Sequence, residues 1–147
     1  VTPGNGTQTG PARIVTYSLD TLERNFTLGQ GNFDGMTGWA GRARTTETNA
    51  SGVPEVFFEG SVATVQSHVV FTRTSAGMST LYLDGQPIEQ AAIGGDFTAW
   101  SVSPNYRFAW GNEITLDRDW AGTFHLVAVY GRALTAQEVA QNFAAGL

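Results

Sequence analysis

The end of the chain constrains its fold more than any other stretch, because a hydrophobic run leads directly into a short helix with a complete start signal. The run covers residues 122–130, and Thr135 follows at the N-cap position of the helix. Glu138 lies three residues later, the spacing of a capping box in which each side chain accepts a backbone N–H of the other residue. Short helices are stable mainly through packing. We therefore predict that this helix docks against the strand formed by the run.

The apolar residues of the same helix predict which face it buries. Leu134 just before the N-cap and Val139 at the fourth helical position are spaced as a hydrophobic staple. Val139 and Phe143 are four residues apart and share that face. Gly146 is placed to end the helix. We expect the Phe143 ring to be buried against the preceding strand.

Composition narrows the class of protein. The 147 residues are enough for one domain, and a hydrophobic content of 41% is enough for its core. The absence of cysteine excludes disulfides and thiolate metal sites. A net charge of −5 without a basic cluster argues against nucleic acid as a partner. The sequence contains no run of about eighteen apolar residues, so we expect no transmembrane segment in this chain.

Alternating apolar and polar residues, separated by Gly, Pro, Asn and Asp turns, predict a series of short antiparallel strands. The closing run is apolar on both of its alternating faces, which is typical of a central strand covered on both sides. We predict an all-β fold, a two-sheet antiparallel jelly-roll β-sandwich with one short C-terminal helix. The predicted strands cover residues 12–19, 24–30, 39–46, 55–58, 66–74, 79–84, 86–91, 106–110 and 123–130.

Several segments resemble one known family when they are taken in this order. They are Gly10-Pro-Ala-Arg-Ile-Val15, residues 24–30, His68-Val-Val-Phe-Thr-Arg73, Leu81-Tyr-Leu-Asp-Gly85 and residues 122–146. The chain resembles the laminin-G-like domains of the concanavalin A-like lectin/glucanase group, in particular a bacterial subgroup. The resemblance implies that residues 1–147 form a single domain of this type. In that subgroup further strands normally precede the one that starts at Pro11, so the alternative is that residues 1–147 are the C-terminal two-thirds of a larger domain.

The resemblance also implies a class of function. Members of this family are mostly non-catalytic binding modules for proteins or glycans, often on exported bacterial proteins. We expect an exported, periplasmic or extracellular interaction module that docks onto a protein assembly or mediates adhesion. Its expected partner is a protein or the missing upstream strands of the same chain. The alternatives are a lectin-like, carbohydrate-binding module with optional calcium and a glycan-cleaving enzyme.

The carboxylate spacing argues against the enzyme hypothesis. Glucanases of this fold carry catalytic carboxylates at alternate positions of one strand, about 5 Å apart. The nearest match is Glu113 and Asp117 in an extended segment, but Thr115 occupies the position where the second carboxylate is required. We therefore predict no catalytic residues and no enzymatic activity.

Three tryptophans are candidates for ligand binding. Trp100, Trp110 and Trp120 lie in an aromatic-rich stretch, and the flat face of an indole packs well against a pyranose ring. The alternative is that they are core residues, with one or two of them exposed. His68 and His125 lie apart from any nucleophile, and we expect them to be buried and hydrogen-bonded.

The acidic loop, residues 112–119, is the candidate metal site. Asn112, Glu113, Asp117 and Asp119 offer hard oxygen ligands of the type that calcium prefers. The alternative is a solvated loop in which Arg118 neutralises its acidic neighbours. No cofactor other than calcium is indicated.

Overall fold

The computed structural model describes residues 1–8, 10–32 and 34–146, and within them its strands follow the predicted order. A 3₁₀ turn covers Phe97–Ala99. The strands and the helix of this part of the chain are β1 (Thr2–Pro3), β2 (Ala12–Ser18), β3 (Arg24–Gln30), β4 (Gly38–Ala43), β5 (Val56–Glu59), β6 (Val69–Arg73), β7 (Met78–Leu83), β8 (Gln86–Ala92), β9 (Arg107–Trp110), β10 (Gly122–Thr123) and α1 (Ala136–Ala144).

The larger sheet has five antiparallel strands in the order β5-β4-β3-β2-β9. Its centre is the predicted hairpin of β2 and β3, which is confirmed. The carboxylate of Asp20 shapes the connecting turn, because it accepts the backbone N–H of Leu22 at 2.7 Å and of Glu23 at 2.8 Å. Such side-chain capping of backbone donors is the usual role of Asp in turns.

The smaller sheet has three antiparallel strands in the order β6-β7-β8. Asp84, with φ of 50°, and Gly85, with φ of 81°, form the tight turn between β7 and β8. Asp84 also accepts the backbone N–H of His68 through its carboxylate at 2.8 Å. This turn therefore anchors the start of β6 as well as reversing the chain.

The core lies where the two sheets face each other. At one side of the sandwich β5 packs against β7 and β8, and β4 packs against β7. Trp39, Val56 and Leu81 are fully buried there. Gly41 is required for the close approach, because a Cβ at this position would overlap the ring of Phe71. The molecule is thus an all-β sandwich with one short C-terminal helix.

The helix α1 covers the outer face of the smaller sheet, and its start signal is confirmed. Thr135 and Glu138 each accept the backbone N–H of the other residue, as a capping box requires. Leu134 and Val139 are buried against Tyr82 of β7. Within the described residues, no helix has the length and the apolar composition that a membrane crossing requires.

Gly146 follows the helix with φ of 86°, as predicted for a residue that ends it. The prediction for Phe143 was wrong, because its ring is 43% exposed. The ring lies over the imidazole of His68, with 6.1 Å between the ring centroids. Burial lowers the pKa of His68.

The closing run departs most from its prediction. Only Gly122–Thr123 form a strand, β10, which pairs with β1. Residues 124–130, here called the closing segment, are neither a strand nor covered on both sides, and Leu126 is 62% exposed. The physical reason is that no strand among the described residues lies beside them to complete a ladder. His125 is likewise exposed, with its Nε2 2.9 Å from the hydroxyl of Thr2.

Candidate functional site

The two sheets diverge on the side away from the core and leave an open groove of about 800 Å³ between them. We call it the inter-sheet groove. The strands β2 and β3 and the residue Phe108 of β9 line it from the larger sheet, and β6, residues 126–134 and the C-terminal end of α1 complete the lining. Most side chains of its lining are apolar or aromatic. A groove of this composition favours an apolar ligand surface.

Aromatic rings form the first wall of the groove. Tyr17 stacks on Phe108 with 5.0 Å between the ring centroids, and Phe26 meets Phe108 edge-on at 5.5 Å. Trp100 continues the row, 5.9 Å from Phe26 and 4.5 Å from Phe97. Stacked and edge-on rings hold each other in fixed orientations. This wall is therefore preorganised.

The second wall is made of β6 and the closing segment. Val69 and Phe71 of β6 point toward the larger sheet and pack against the core. Leu126 and Val129 of the closing segment line the groove and are exposed. The side chains that this wall presents are therefore chiefly apolar.

Charged groups lie at the two ends of the groove. At one end the guanidinium of Arg73 donates to the backbone carbonyls of residues 93, 94 and 95, at 2.8, 2.9 and 2.7 Å, and lies 5.3 Å from the ring centre of Phe97. At the other end the α-ammonium of Val1 donates to the carbonyl of Ser67 at 3.0 Å. Burial lowers the pKa of this amine. The walls between these ends remain apolar.

The three candidate tryptophans occupy different environments. Trp120 is buried in the core, where its indole N–H donates to the Gln30 side chain at 3.0 Å. Trp100 lines the groove, and its N–H donates to the Arg44 carbonyl at 2.8 Å. Trp110 is 62% exposed on β9 and is not part of the groove lining. The structure therefore does not bring the three rings together in one platform.

The four candidate calcium ligands also have different environments. Glu113 is fully buried and accepts from the Nε of Arg13 at 3.0 Å and from the hydroxyl of Ser18. The side-chain oxygen of Asn112 accepts two backbone N–H groups, from Glu113 at 2.8 Å and from Arg118 at 2.9 Å. These contacts use the oxygen atoms that the prediction assigned to a metal.

The remaining two acidic side chains of the loop are exposed. Asp117 accepts from the Thr115 hydroxyl at 2.5 Å and lies 3.5 Å from the Arg118 guanidinium, whereas Asp119 faces solvent. In residues 1–8, 10–32 and 34–146, no group of three or more His, Asp or Glu side chains is placed to hold a metal ion. The loop is held together by contacts among its own residues and with Arg13.

The outer face of the larger sheet is a buried polar layer. Arg13, Arg24 and Arg42 lie there without access to solvent, and Arg42 pairs with Glu55. Burial, followed by the charges of Arg13 and Arg42, lowers the pKa of Arg24 to about 9. Because these side chains are buried, this face offers no accessible site, and the accessible candidate site is the groove.

The sequence prediction missed most residues of the groove. Tyr17, Phe26 and Phe108 were assigned to strands but not to a site. Their signal was their occurrence on the same face of neighbouring strands, which becomes visible only when the register of β2 with β3 and β9 is known. The prediction of a covered strand for the closing segment was wrong because apolar residues on both alternating faces are also typical of a buried strand.

Comparison with known proteins agrees with this architecture. The family model Laminin_G_3, described as the concanavalin A-like lectin/glucanases superfamily, matches residues 7–140. No curated protein sequence matches the chain.

A structural likeness was found to an S-layer domain-containing protein (residues 221–444) from Clostridium thermocellum ATCC 27405, whose crystal structure was determined at 2.1 Å resolution. The TM-score is 0.42 and the sequence identity is 16%. The alignment covers 97% of this chain and 66% of that one, so the chain spans just under two thirds of the length of that structure.

Proposed function

This chain belongs to the concanavalin A-like lectin/glucanases superfamily, and we propose that within it the chain serves as a non-catalytic interaction module that docks onto a protein assembly. The observation that carries the proposal is the inter-sheet groove of about 800 Å³ with its aromatic wall. Soluble monomers rarely leave large contiguous apolar surfaces exposed unless those surfaces bind something. The groove is therefore the proposed binding surface.

The chemistry of the groove favours a polypeptide over a sugar. The hydroxyl groups of a sugar lose their hydrogen bonds to water on binding and need polar partners in the site. The walls offer chiefly apolar side chains, and the Arg73 guanidinium at one end already donates to four carbonyls. Apolar side chains of a protein partner match these walls without such a cost.

The arrangement of the acidic loop supports a role without catalysis. Residues 113–119 form turns, with φ of 60° at Leu116, instead of the extended strand that alternate catalytic carboxylates require. Glu113 is fully buried in its ion pair with Arg13, where a substrate does not reach it. A glycan-cleaving function has no such support.

Carbohydrate binding is the second candidate, and one observation favours it. The indole of Trp110 is 62% exposed on β9, so its face is available to a pyranose ring. Calcium at the exposed carboxylates of Asp117 and Asp119 would accompany this function. In that case Trp110, and not the groove, is the residue on which affinity depends.

We also propose that the module acts outside the cytoplasm, in the periplasm or at the cell exterior, and that residues 1–147 work as part of one laminin-G-like domain. The support for export is the similarity to the exported bacterial members of the family. Fractionation of cells that express the full-length protein tests the location, and recovery in the cytoplasm would contradict it.

A direct comparison of ligand classes tests the proposed function. A random peptide library and a glycan array are screened with the same protein preparation, with and without a calcium chelator. We expect the library to yield peptides that compete with one another for a single site. Glycan binding that is lost in Trp110→Ala, together with no selected peptide, would instead establish the lectin-like function.

A further inference from the structure

We propose that the buried polar layer on the outer face of the larger sheet holds one chloride ion, bound by the guanidinium of Arg24. The ion is a structural component of the fold and is not a ligand of the accessible surface. The layer and the inter-sheet groove lie on opposite faces of this sheet. The inference is therefore independent of the proposed function and is tested separately from it.

The register of the strands brings the charged side chains of this layer together. Arg24 lies opposite Ser18 in the pairing of β3 with β2, and directly opposite side chains share a face of the sheet. The hydroxyl of Ser18 donates to the carboxylate of Glu113, which also accepts from the Nε of Arg13 at 3.0 Å. Arg13, Arg24 and Arg42 are all buried. The layer thus holds three guanidinium groups out of contact with water.

The carboxylates of the layer pair with only two of these three guanidinium groups. Glu113 pairs with Arg13, and Glu55 pairs with Arg42. In residues 1–8, 10–32 and 34–146, no carboxylate lies within ion-pair distance of Arg24. The layer therefore keeps one positive charge that no adjacent side chain balances.

Arg24 also has hydrogen-bond donors without acceptors. Its Nη2 donates to the backbone carbonyl of Thr21. Its Nε and Nη1 are buried and meet no acceptor in the part of the chain that the structure describes. Burial, followed by the charges of Arg13 and Arg42, lowers the pKa of Arg24 to about 9, so the group is still protonated at pH 7. A charge that is buried without a partner destabilises a fold strongly, and an anion at these nitrogens removes that cost.

Loops on both sides close the layer and limit the size of the anion. The carbonyl of Ala50 accepts the backbone N–H of Arg24 at 3.0 Å, and the carbonyl of Arg118 accepts that of Arg13 at 3.0 Å. A carboxylate or phosphate that belongs to a larger molecule does not reach Arg24 unless these loops open. A water molecule accepts hydrogen bonds but does not balance a charge. Chloride is small and carries the single negative charge that is required, and we expect it to be taken up as the chain folds.

Unfolding in urea at different chloride concentrations tests the inference in solution. Urea is uncharged, and sodium gluconate replaces sodium chloride so that the ionic strength stays constant. An anion that binds only the folded state stabilises that state by mass action. We expect the unfolding equilibrium constant of the wild type to decrease roughly tenfold or more between about 1 and about 100 mM chloride. An unchanged constant over this range would overturn the proposal.

Matched variants assign the effect to one arginine. Arg24→Gln removes the buried charge, and its unfolding equilibrium constant should no longer depend on chloride. Arg107→Gln removes an exposed charge from β9 of the same sheet and should keep the chloride dependence of the wild type. Equal dependence in the wild type and Arg24→Gln would show that chloride acts elsewhere on the protein, and would overturn the site.

A crystal structure of the wild type with bromide in place of chloride tests the site even if Arg24→Gln does not fold. Bromide replaces chloride and is identified by its anomalous scattering. We expect an anomalous peak within hydrogen-bond distance of the Nε or Nη1 of Arg24. Density at this place without an anomalous signal would identify a water molecule and overturn the proposal. A bromide peak together with an unfolding equilibrium constant that does not depend on chloride would mean binding at crystal concentration only, and would also overturn it.

Discussion

Arg13 and Glu113 form an ion pair in which both side chains are completely buried, with the Nε of Arg13 3.0 Å from a carboxylate oxygen of Glu113. The pair joins β2 to the acidic loop, and the hydroxyl of Ser18 donates to the same carboxylate. Burial lowers the pKa of Arg13, and the hydrogen bond and charge of Glu113 act in the opposite direction. Glu113 is thus a structural counter-ion.

Removing this counter-ion should destabilise the fold strongly. We predict that Glu113→Ala lowers the free energy of unfolding by about 3–5 kcal/mol, because it leaves the Arg13 charge buried and unpaired. Asp117→Ala, at an exposed carboxylate of the same loop, is the matched control and should change it by less than about 0.5 kcal/mol. Guanidinium unfolding curves measure both, and equal midpoints for the two variants would contradict the structural role.

Loss of the capping box should reduce stability less than loss of Glu113. Thr135→Ala removes the hydroxyl that accepts the backbone N–H of Glu138, and we predict a loss of about 1 kcal/mol. Thr64→Ala, at an exposed threonine outside the helix, is the control. Urea unfolding of both variants gives the comparison, and an unchanged midpoint for Thr135→Ala would mean that the helix end is frayed in solution.

Glu138 makes the helix sensitive to acid. The guanidinium of Arg132, followed by the backbone N–H of Thr135, lowers the pKa of this carboxyl from 4.5 to about 2. Because the folded state holds the ionised form, this contribution to stability is complete above about pH 4.5 and is lost as the pH falls toward 2. We predict that Tm decreases more steeply over this range in the wild type than in Glu138→Gln. If Tm changes with pH in the same way in the wild type and in Glu138→Gln, the acid sensitivity does not come from Glu138.

Calcium binding at the acidic loop stays a proposal with a direct test. Asp117 and Asp119 are its exposed carboxylates. We predict that any calcium affinity seen by calorimetry in the wild type is lost in the Asp117→Ala/Asp119→Ala double variant and kept in Asp34→Ala, a control at another exposed carboxylate. Equal affinity in the wild type and the double variant would show that these two carboxylates do not bind calcium. The absence of a binding signal in the wild type would show that the protein does not bind calcium.

Local signals in the sequence were sufficient for most of the fold. The hairpin of β2 and β3, the Asp84–Gly85 turn and the capping box at Thr135 each depend on residues close together in the chain, and each is present. The positions of β4 to β9 along the chain were also predicted, because alternation and turn residues are local signals.

The site depends on contacts that no local pattern encodes. The closing segment has the composition of a buried strand, but whether such a segment is covered depends on a neighbour that its own residues do not specify. The role of Glu113 likewise depended on Arg13, which is one hundred residues away in the chain. Phe143 was misplaced for the same reason, since its predicted contact was with the closing segment.

The affinity of two variants for one peptide tests most directly whether the inter-sheet groove is the binding surface. The measurement is the dissociation constant of a peptide selected from the library for Leu126→Lys, in the groove, and for Trp110→Ala, outside it. We predict that Leu126→Lys weakens binding roughly tenfold or more and that Trp110→Ala changes it by less than about twofold. Loss of binding in Trp110→Ala with full affinity in Leu126→Lys would contradict the account.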